Sequence, residues 1–311
     1  MLKKSMRLLS NIGKAISHPF KAVKVLFDFF LRKVARFIKS DETFIKLKWW
    51  ATMDYPLHLD NPKSFNEKLQ WLKLHDRKPV YTRMVDKADA KNYVRNIIGE
   101  DHIIPTLAIY DKIEDLAVDR LPKQFVLKCT HDSAGIVICK NKAKLDIEKA
   151  KKKLSAGLAR NYFIYNREWP YKDVKPRIIA EKFMSDDEDS GDLKDYKFFC
   201  FNGKVKFFKI DFNRFNGHRA NYYDINGNLL PYGEVICPPN QDHAVDVPNN
   251  INEMVNFAEK LSSGVPFLRV DFYSIHNIIY FGELTFYPAS GFGQFLNKEQ
   301  DFEIGEMLKI N

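Results

Sequence analysis

Apolar residues along this 311-residue chain recur in two rhythms. Up to about residue 124 they return every three or four positions, the period of helices with one buried side. Over 20–39, Lys21, Lys24, Asp28, Arg32, Arg36 and Lys39 form a charged stripe at that spacing. Val23, Phe27, Phe30, Leu31, Val34, Phe37 and Ile38 make up an apolar face beside it. Further on, Asn61-Pro62-Lys63-Ser64 introduces Phe65, Leu69, Trp71, Leu72 and Leu74. Ser64 with Glu67 three residues later predicts a capped helix start. Another helix is predicted over 81–98, stopping at Gly99.

From residue 125 the rhythm changes to short apolar runs, which predict strands at 125–129, 136–139, 177–184, 196–201, 205–211, 267–273 and 278–286. Helical patterns over about 146–158 and 252–262 interrupt them. His131-Asp132-Ser133-Ala134-Gly135 reads as a polar hairpin loop, Asn202-Gly203 as a tight hairpin turn and His276-Asn277 as another. Together these elements predict an α+β chain with antiparallel sheets.

Composition narrows the class. Hydrophobic residues are 45% and aromatics 14%, with 25 Phe and 14 Tyr, which excludes a disordered or collagen-like chain. The net charge of +9 is local: residues 1–40 hold ten basic side chains against Asp28, and the rest of the chain is balanced. Such a segment suits an anionic membrane surface, or equally a helix docked on its own protein with basic stems covering apolar surface. Nucleic acid is disfavoured, because the aromatics face away from the charge. Cys129, Cys139, Cys200 and Cys237 show no metal or disulfide spacing, which favours a reducing compartment. No apolar stretch is long enough to span a bilayer, and the N-terminus lacks the pattern of a signal peptide.

Four clusters carry candidate chemistry. Lys128 stands on a strand beside the small-residue loop Ser133-Ala134-Gly135, where an ammonium and backbone N–H groups can hold phosphates. Ile178–Met184 ends in Glu181-Lys182-Phe183-Met184, which could meet a purine edge or simply end a strand. Asp195 and Lys197 share a strand face, fitting either a ribose and a phosphate or a salt bridge. Arg269 and Asp271 on one strand oppose Glu283 and Thr285 on the next. Carboxylates among Phe, Val and Leu are costly unpaired. An all-oxygen set favours Mg²⁺ bound with phosphates; the other reading is that Arg269 neutralises one acid.

In order along the chain, the runs NPKSFNEKLQWLKLHDR (61–77), VDK (85–87), FVLKCTHDSAG (125–135), IIAEKFM (178–184), LKDYKFFCFNGKV (193–205), FLRVDFY (267–273) and FGELTFYPASGFG (281–293) resemble the TupA-like branch of the ATP-grasp superfamily, linked to bacterial surface-polysaccharide biosynthesis. The resemblance covers about 45–311 and implies two α+β subdomains sandwiching ATP, preceded by a helical N-terminal region. On that basis the chain divides into a basic amphipathic segment (1–40), a mostly helical region (41–124), a small lid subdomain (125–180) and a large subdomain with the metal site (181–311). The resemblance implies that Lys128 contacts phosphates, with Ser133, Ala134 and Gly135 in the phosphate loop. Glu181, Phe183 and Met184 would form the adenine hinge, and Asp195 would reach the ribose. Asp271 and Glu283 would ligate Mg²⁺, Lys197 would serve the phosphates, and Arg269 would hold the developing acyl-phosphate oxygen. Two positions depart from the family pattern. Thr285 replaces an Asn metal ligand, and Ala134 stands where Gly is common, which requires a negative φ.

The implied reaction is ATP-dependent amide formation between a carboxylate, here a uronic acid of a surface polysaccharide or its lipid-linked precursor, and an amine from an amino acid or amino sugar. His131, Asp132, His218 and Arg219 are further candidate substrate contacts. The implied location is cytoplasmic, on the inner face of the bacterial plasma membrane. A glycosyltransferase is the competing reading, for whose acidic motif Asp187-Glu188-Asp189 and Asp89 are the candidates; a catalytically inactive membrane-attached scaffold is a third.

Overall fold

The computed structural model describes residues 19–185, 193–213, 217–242, 245 and 247–310, and two antiparallel sheets organise them. Asp187-Glu188-Asp189 lies outside the described residues. Helix α1 (Pro19–Val34) leads through a short 3-10 turn into α2 (Asp41–Thr52). The apolar surface of α1 is split. Leu31 and Ala35 are buried with Phe44, and Phe27, Val34, Ile38, Leu47 and Ile164 pack around them. Phe20, Val23, Leu26, Phe29, Phe30 and Phe37 stay exposed. The helix is therefore docked on its own protein and still keeps an open apolar arc.

Helix α3 (Phe65–His75) begins with the predicted box. Ser64 Oγ accepts from the Glu67 N–H at 3.2 Å, and the Glu67 carboxylate accepts from the Ser64 N–H at 3.0 Å. The helix predicted over 81–98 is two helices, α4 (Pro79–Val85) and α5 (Asp89–Ile98). Between them the Asp86 carboxylate accepts from the N–H groups of Ala88 and Asp89 at 2.8 and 3.1 Å. This local bond competes with a continuous helix and restarts the chain. Gly99, at φ +101°, ends α5 as expected.

The stretch 41–124 is not helical throughout. It contains β1 (Thr106–Tyr110), an edge strand of a four-stranded sheet with β2 (Phe125–Cys129), β3 (Ile136–Cys139) and β4 (Ile178–Lys182), in the order β1-β4-β2-β3. The first subdomain thus starts earlier than residue 125, and an edge at 180 would cut β4. A five-residue edge strand is weakly patterned, and its partner β4 lies far along the chain. Helix α6 (Ile147–Leu158) closes one side of this sheet, with Leu154 buried among Phe125, Leu127, Cys129 and Ile178. A Cβ at Gly157 would stand 2.6 Å from Cys129 Sγ, so the close helix–sheet approach requires glycine there. A short helix, α7 (Tyr162–Asn166), follows.

The second sheet has six strands: β5 (Asp195–Phe201), β6 (Lys204–Phe212), β7 (Arg219–Asp224), β8 (Leu229–Leu230), β9 (Phe267–Ile275) and β10 (Ile278–Thr285). Their order is β10-β9-β5-β6-β7-β8. Asn202 and Gly203 (φ +48° and +78°), and His276 and Asn277 (φ +51° and +63°), make the two tight turns with positive φ at both positions. One side of the sheet carries Phe198, Cys200, Phe208, Val270 and Phe272 in register. Helix α8 (Ile251–Leu261) packs there, through Phe257 on Phe272 and a Cys200 thiol bond to the Ala258 carbonyl. The other side is divided along its length. Phe199, Phe201, Phe207 and Phe267 form an aromatic end with Phe65 of α3. Asp195, Lys197, Lys209, Asp211, Arg269 and Asp271 form a charged end.

Helix α9 (Lys298–Glu306) seats against the start of α3 so closely that a Cβ at Gly305 would lie 2.2 Å from the Lys63 carbonyl oxygen. Ser64→Ala should lower the unfolding free energy by about 1 kcal/mol through the lost cap. Gly305→Ala should cost more, about 1–3 kcal/mol, because backbone atoms must move. Urea unfolding of both variants checks the ranking, and an unchanged midpoint for Gly305→Ala would contradict the packing described.

Candidate functional site

The charged end of the second sheet is built by register. Lys197 lies opposite Asp271 on one side and Lys209 on the other, and Asp195 lies opposite Asp211. A regular hairpin around His276-Asn277 would set Gly282 opposite Asp271. A bulge between Phe281 and Glu283 shifts the pairing, so that Glu283 lies opposite Asp271 and Thr285 opposite Arg269. Gly282 suits the bulge, since a Cβ there would be 3.1 Å from the Asp271 carbonyl oxygen.

Within this end, Arg269 donates to Asp271 through Nε and Nη2, each at 2.7 Å, and through Nη2 to Thr285 Oγ1 at 3.0 Å. Lys197 stands 2.9 Å from Asp195, 3.2 Å from Asp271 and 3.6 Å from Asp211. His218 Nε2 is 3.3 Å from Asp211, and Lys209 is 2.9 Å from Glu234, which also accepts from the Tyr222 hydroxyl at 2.6 Å. Burial opposes charge on Asp271, but Arg269 and Lys197 outweigh it and hold the carboxyl below its usual range. Lys197 is likewise held above its usual range: burial pulls it down, and Asp271 and Asp211 overcome that pull.

These contacts alter two expectations. Asp195, expected at a ribose, is 2% exposed and engaged by Lys197. Lys197, expected at phosphates, is enclosed by three carboxylates. Both follow from the same cause: a strand face inside a sheet buries its charges, and buried charges pair. Glu283 differs, with 34% of its side chain exposed and Lys87 Nζ at 3.8 Å.

The first sheet presents a facing surface. Val126 and Lys128 lie opposite Ile138 and Ile136 on β3, and opposite Glu181 and Ile179 on β4. Ile109 and Ile138 are exposed on it. Lys128 pairs with Glu181 at 2.7 Å, and Lys91 of α5 pairs with the other Glu181 oxygen at 2.5 Å. The Glu181 carboxylate, on the strand end expected to border adenine, is a buried counter-ion shared by two lysines. Burial pushes its pKa up, but the charges of Lys128 and Lys91 prevail and bring it down to about 2. Phe183 and Met184 follow β4 and are half-buried.

In the loop between β2 and β3, Ser133 and Ala134 are exposed and Gly135 is buried. Ala134 avoids positive φ, as its side chain requires. A Cβ at Gly135 would meet Cys129 Sγ at 2.6 Å, so this glycine supplies space rather than an unusual φ. Asp132 accepts two bonds from Arg160 Nη1 at 3.0 Å and one from the Ala134 N–H at 3.0 Å. His131 Nε2 bonds the Arg160 carbonyl at 3.0 Å. At 3% and 1% exposure, His131 and Asp132 shape the loop instead of facing a substrate. Arg219 is exposed at the start of β7.

Residues missed in the sequence tie the two sheets together. Lys87 donates its backbone N–H to the Thr130 carbonyl and its ammonium to the Asp132 carbonyl, both at 3.0 Å, while also approaching Glu283. Its signal was the VDK run, whose meaning needed the fold. Among the described residues no three His, Cys, Asp or Glu side chains gather to hold a metal by themselves. Asp271 and Glu283 nevertheless fit Mg²⁺ arriving with a nucleotide, which typically uses one or two carboxylates plus phosphates. A carboxylate offers about four lone-pair sites; Arg269 takes two on Asp271 and Lys197 approaches one oxygen, which leaves capacity for a cation.

A model of the TupA-like ATPgrasp family matches residues 67–309, which include every strand of both sheets. Among curated proteins none matches. Among solved structures, the chain is similar to D-alanine–D-alanine ligase from Bacillus anthracis complexed with ATP, at 16% identity over 65% of this chain and 53% of that one, TM-score 0.37. It is also similar to D-alanine–D-alanine ligase from Helicobacter pylori, at 13% identity over 79% and 70%, TM-score 0.42. D-cycloserine synthetase DcsG is similar at 12% identity over 85% and 89%, TM-score 0.41. The chain spans about half the length of the first of these.

Lys91→Met leaves Glu181 with Lys128 alone and should destabilise the protein by about 3 kcal/mol. Glu181 titrates near 2 when folded, against an ordinary 4.5. Its contribution to stability is therefore complete above about pH 4.5 and is lost as pH falls towards 2. Glu181→Gln should flatten this acid limb in urea midpoints measured against pH. An unchanged limb would show that Glu181 does not carry it.

Proposed function

The chain belongs to the TupA-like ATP-grasp family, and from that membership we propose that it is an ATP-dependent ligase joining a carboxylate to an amine. The supporting observation is the placement of Glu283 opposite Asp271, the carboxylate held by Arg269, at the point where Lys87, between α4 and α5, approaches it while bonding the β2–β3 loop. In this reading a substrate carboxylate oxygen attacks the γ-phosphorus of ATP, and ADP leaves. The amine nitrogen of the second substrate then attacks the acyl carbon, phosphate leaves, and the nitrogen loses a proton. Lys128 and Lys87 orient phosphates, with the N–H groups of Ser133 and Gly135 beside them. Arg269, its guanidinium fixed by Asp271 and Thr285, stabilises negative charge on the acyl-phosphate oxygens. Mg²⁺, held through Asp271 and Glu283, would neutralise phosphate charge. Thr285 Oγ1 is occupied by Arg269, so it serves the arginine's orientation first.

The resemblance in the sequence supports a uronic acid of a surface polysaccharide, or its lipid-linked precursor, as the carboxylate, and an amino acid or amino sugar as the amine. Retention of Lys128, Asp271 and Glu283 together favours this reading over an inactive scaffold.

With Mg²⁺ the purified protein should bind ATP. Glu283→Ala should reduce turnover on the order of 10²-fold or more, as loss of charge stabilisation does, without changing the thermal midpoint. Tight UDP-sugar binding with no ATP affinity would refute the ligase reading. Mass analysis of the surface glycan, with and without the protein, should show loss of an amide-linked substituent.

A further inference from the structure

Helix α1 has two adjoining apolar arcs, and the protein itself uses one. At 100° per residue, Phe27, Leu31 and Val34 fall within about 60° of each other, and with Ile38 beyond the helix they pack with Phe44 and Ile164. Val23, Leu26 and Phe30 fall within a neighbouring arc of about 60°, and Phe37 follows in the 3-10 turn. They are 52%, 68%, 61% and 69% exposed. Phe29 extends that arc, and Trp50 of α2 sits at the helix's flank, with its ring 5.0 Å from Phe27 and 6.2 Å from Phe20.

The exposed charges of this segment are basic. Lys21, Arg32, Lys33, Arg36 and Lys39 are all exposed. The lone acid of the helix, Asp28, is already paired with Arg32 at 2.8 Å and with buried Lys48. Lys33 lies over the Phe29 ring at 4.5 Å and Arg36 over Phe37 at 4.7 Å, so the basic groups border the apolar ones.

We propose that this exposed arc, with Trp50, lies in the interfacial layer of an anionic bilayer. Exposed Phe and Leu would enter the acyl boundary while Lys33 and Arg36 meet lipid phosphates. No helix among the described residues is long and apolar enough to cross a membrane, so the contact is with one leaflet. A second copy is a poor occupant, because a two-fold pairing would set Lys33 and Arg36 against their own equivalents. An anionic lipid surface has the complementary sign. The proposal is independent of the ligase reading and needs no turnover to test.

Co-sedimentation of the full chain with phosphatidylcholine vesicles, with and without phosphatidylglycerol, tests it. Binding should require phosphatidylglycerol and weaken with salt. Lys33→Gln with Arg36→Gln should weaken it roughly thirtyfold, from the usual contribution of each basic residue near an anionic surface. Leu26→Asp with Phe30→Asp should abolish it with an unchanged thermal midpoint, because neither side chain contributes to the docked arc. Three results would each overturn the proposal: no binding by the wild type, equal binding to both vesicle types, or full binding by the Leu26/Phe30 variant. A wild-type dimer in sedimentation equilibrium that this variant dissociates would assign the arc to a second copy instead.

Discussion

The pairing of Arg269 with Asp271 in the buried centre of the second sheet is the constraint on which the site depends. A carboxylate at 4% exposure is strongly disfavoured alone. Two bonds from one guanidinium, with Lys197 alongside, keep it ionised. The neighbouring strands supply further paired charge, through Asp195, Asp211 and Lys209, the last of these with Glu234. The aromatic half of the same face excludes water from the other end, so the charged half is a defined zone with Glu283 at its open edge.

That edge is held by backbone as much as by charge. The bulge at Gly282 turns Glu283 and Thr285 to the charged side. Beyond β10, the turn Pro288–Gly291 has Ala289, Ser290 and Gly291 at φ +46°, +56° and +63°. Consecutive left-handed residues persist only where surrounding contacts dictate them. Here the fully buried Lys73 donates to the Ser290 carbonyl at 2.7 Å, and Glu168 accepts from the Ser290 hydroxyl at 2.6 Å. Burial drives Lys73 down and Glu168 up, each countered by the other's charge. Helix α3 is thereby anchored to the segment that follows β10.

Much of this was legible in the chain. Asn202-Gly203 and His276-Asn277 specify their turns, Ser64 and Glu67 specify a helix start, and the runs at 125–129 and 136–139 specify a hairpin. The break at Asp86 was not legible, because one carboxylate bonding two amides overrides an otherwise helical pattern. Strand β1 was missed because pairing with β4 defines it, not its own composition. The ion-pair partners of Glu181, Lys91 and Lys128, were not legible either, because they sit on elements separated from it in sequence.

The sequence by itself determined the local elements, the family, the confinement of excess positive charge to the first forty residues, and the chemical groups available to the site. Those features depend on spacings of two to four residues, which a linear reading contains. Tertiary structure decided which groups face one another: the bulge that sets Glu283 opposite Asp271, the reach of Lys87 between the sheets, and the arc of α1 that stays open. Each of these turns on a one-residue register shift or on a partner distant in the chain. Periodicity fixes the face of an element, whereas only packing fixes what that face meets.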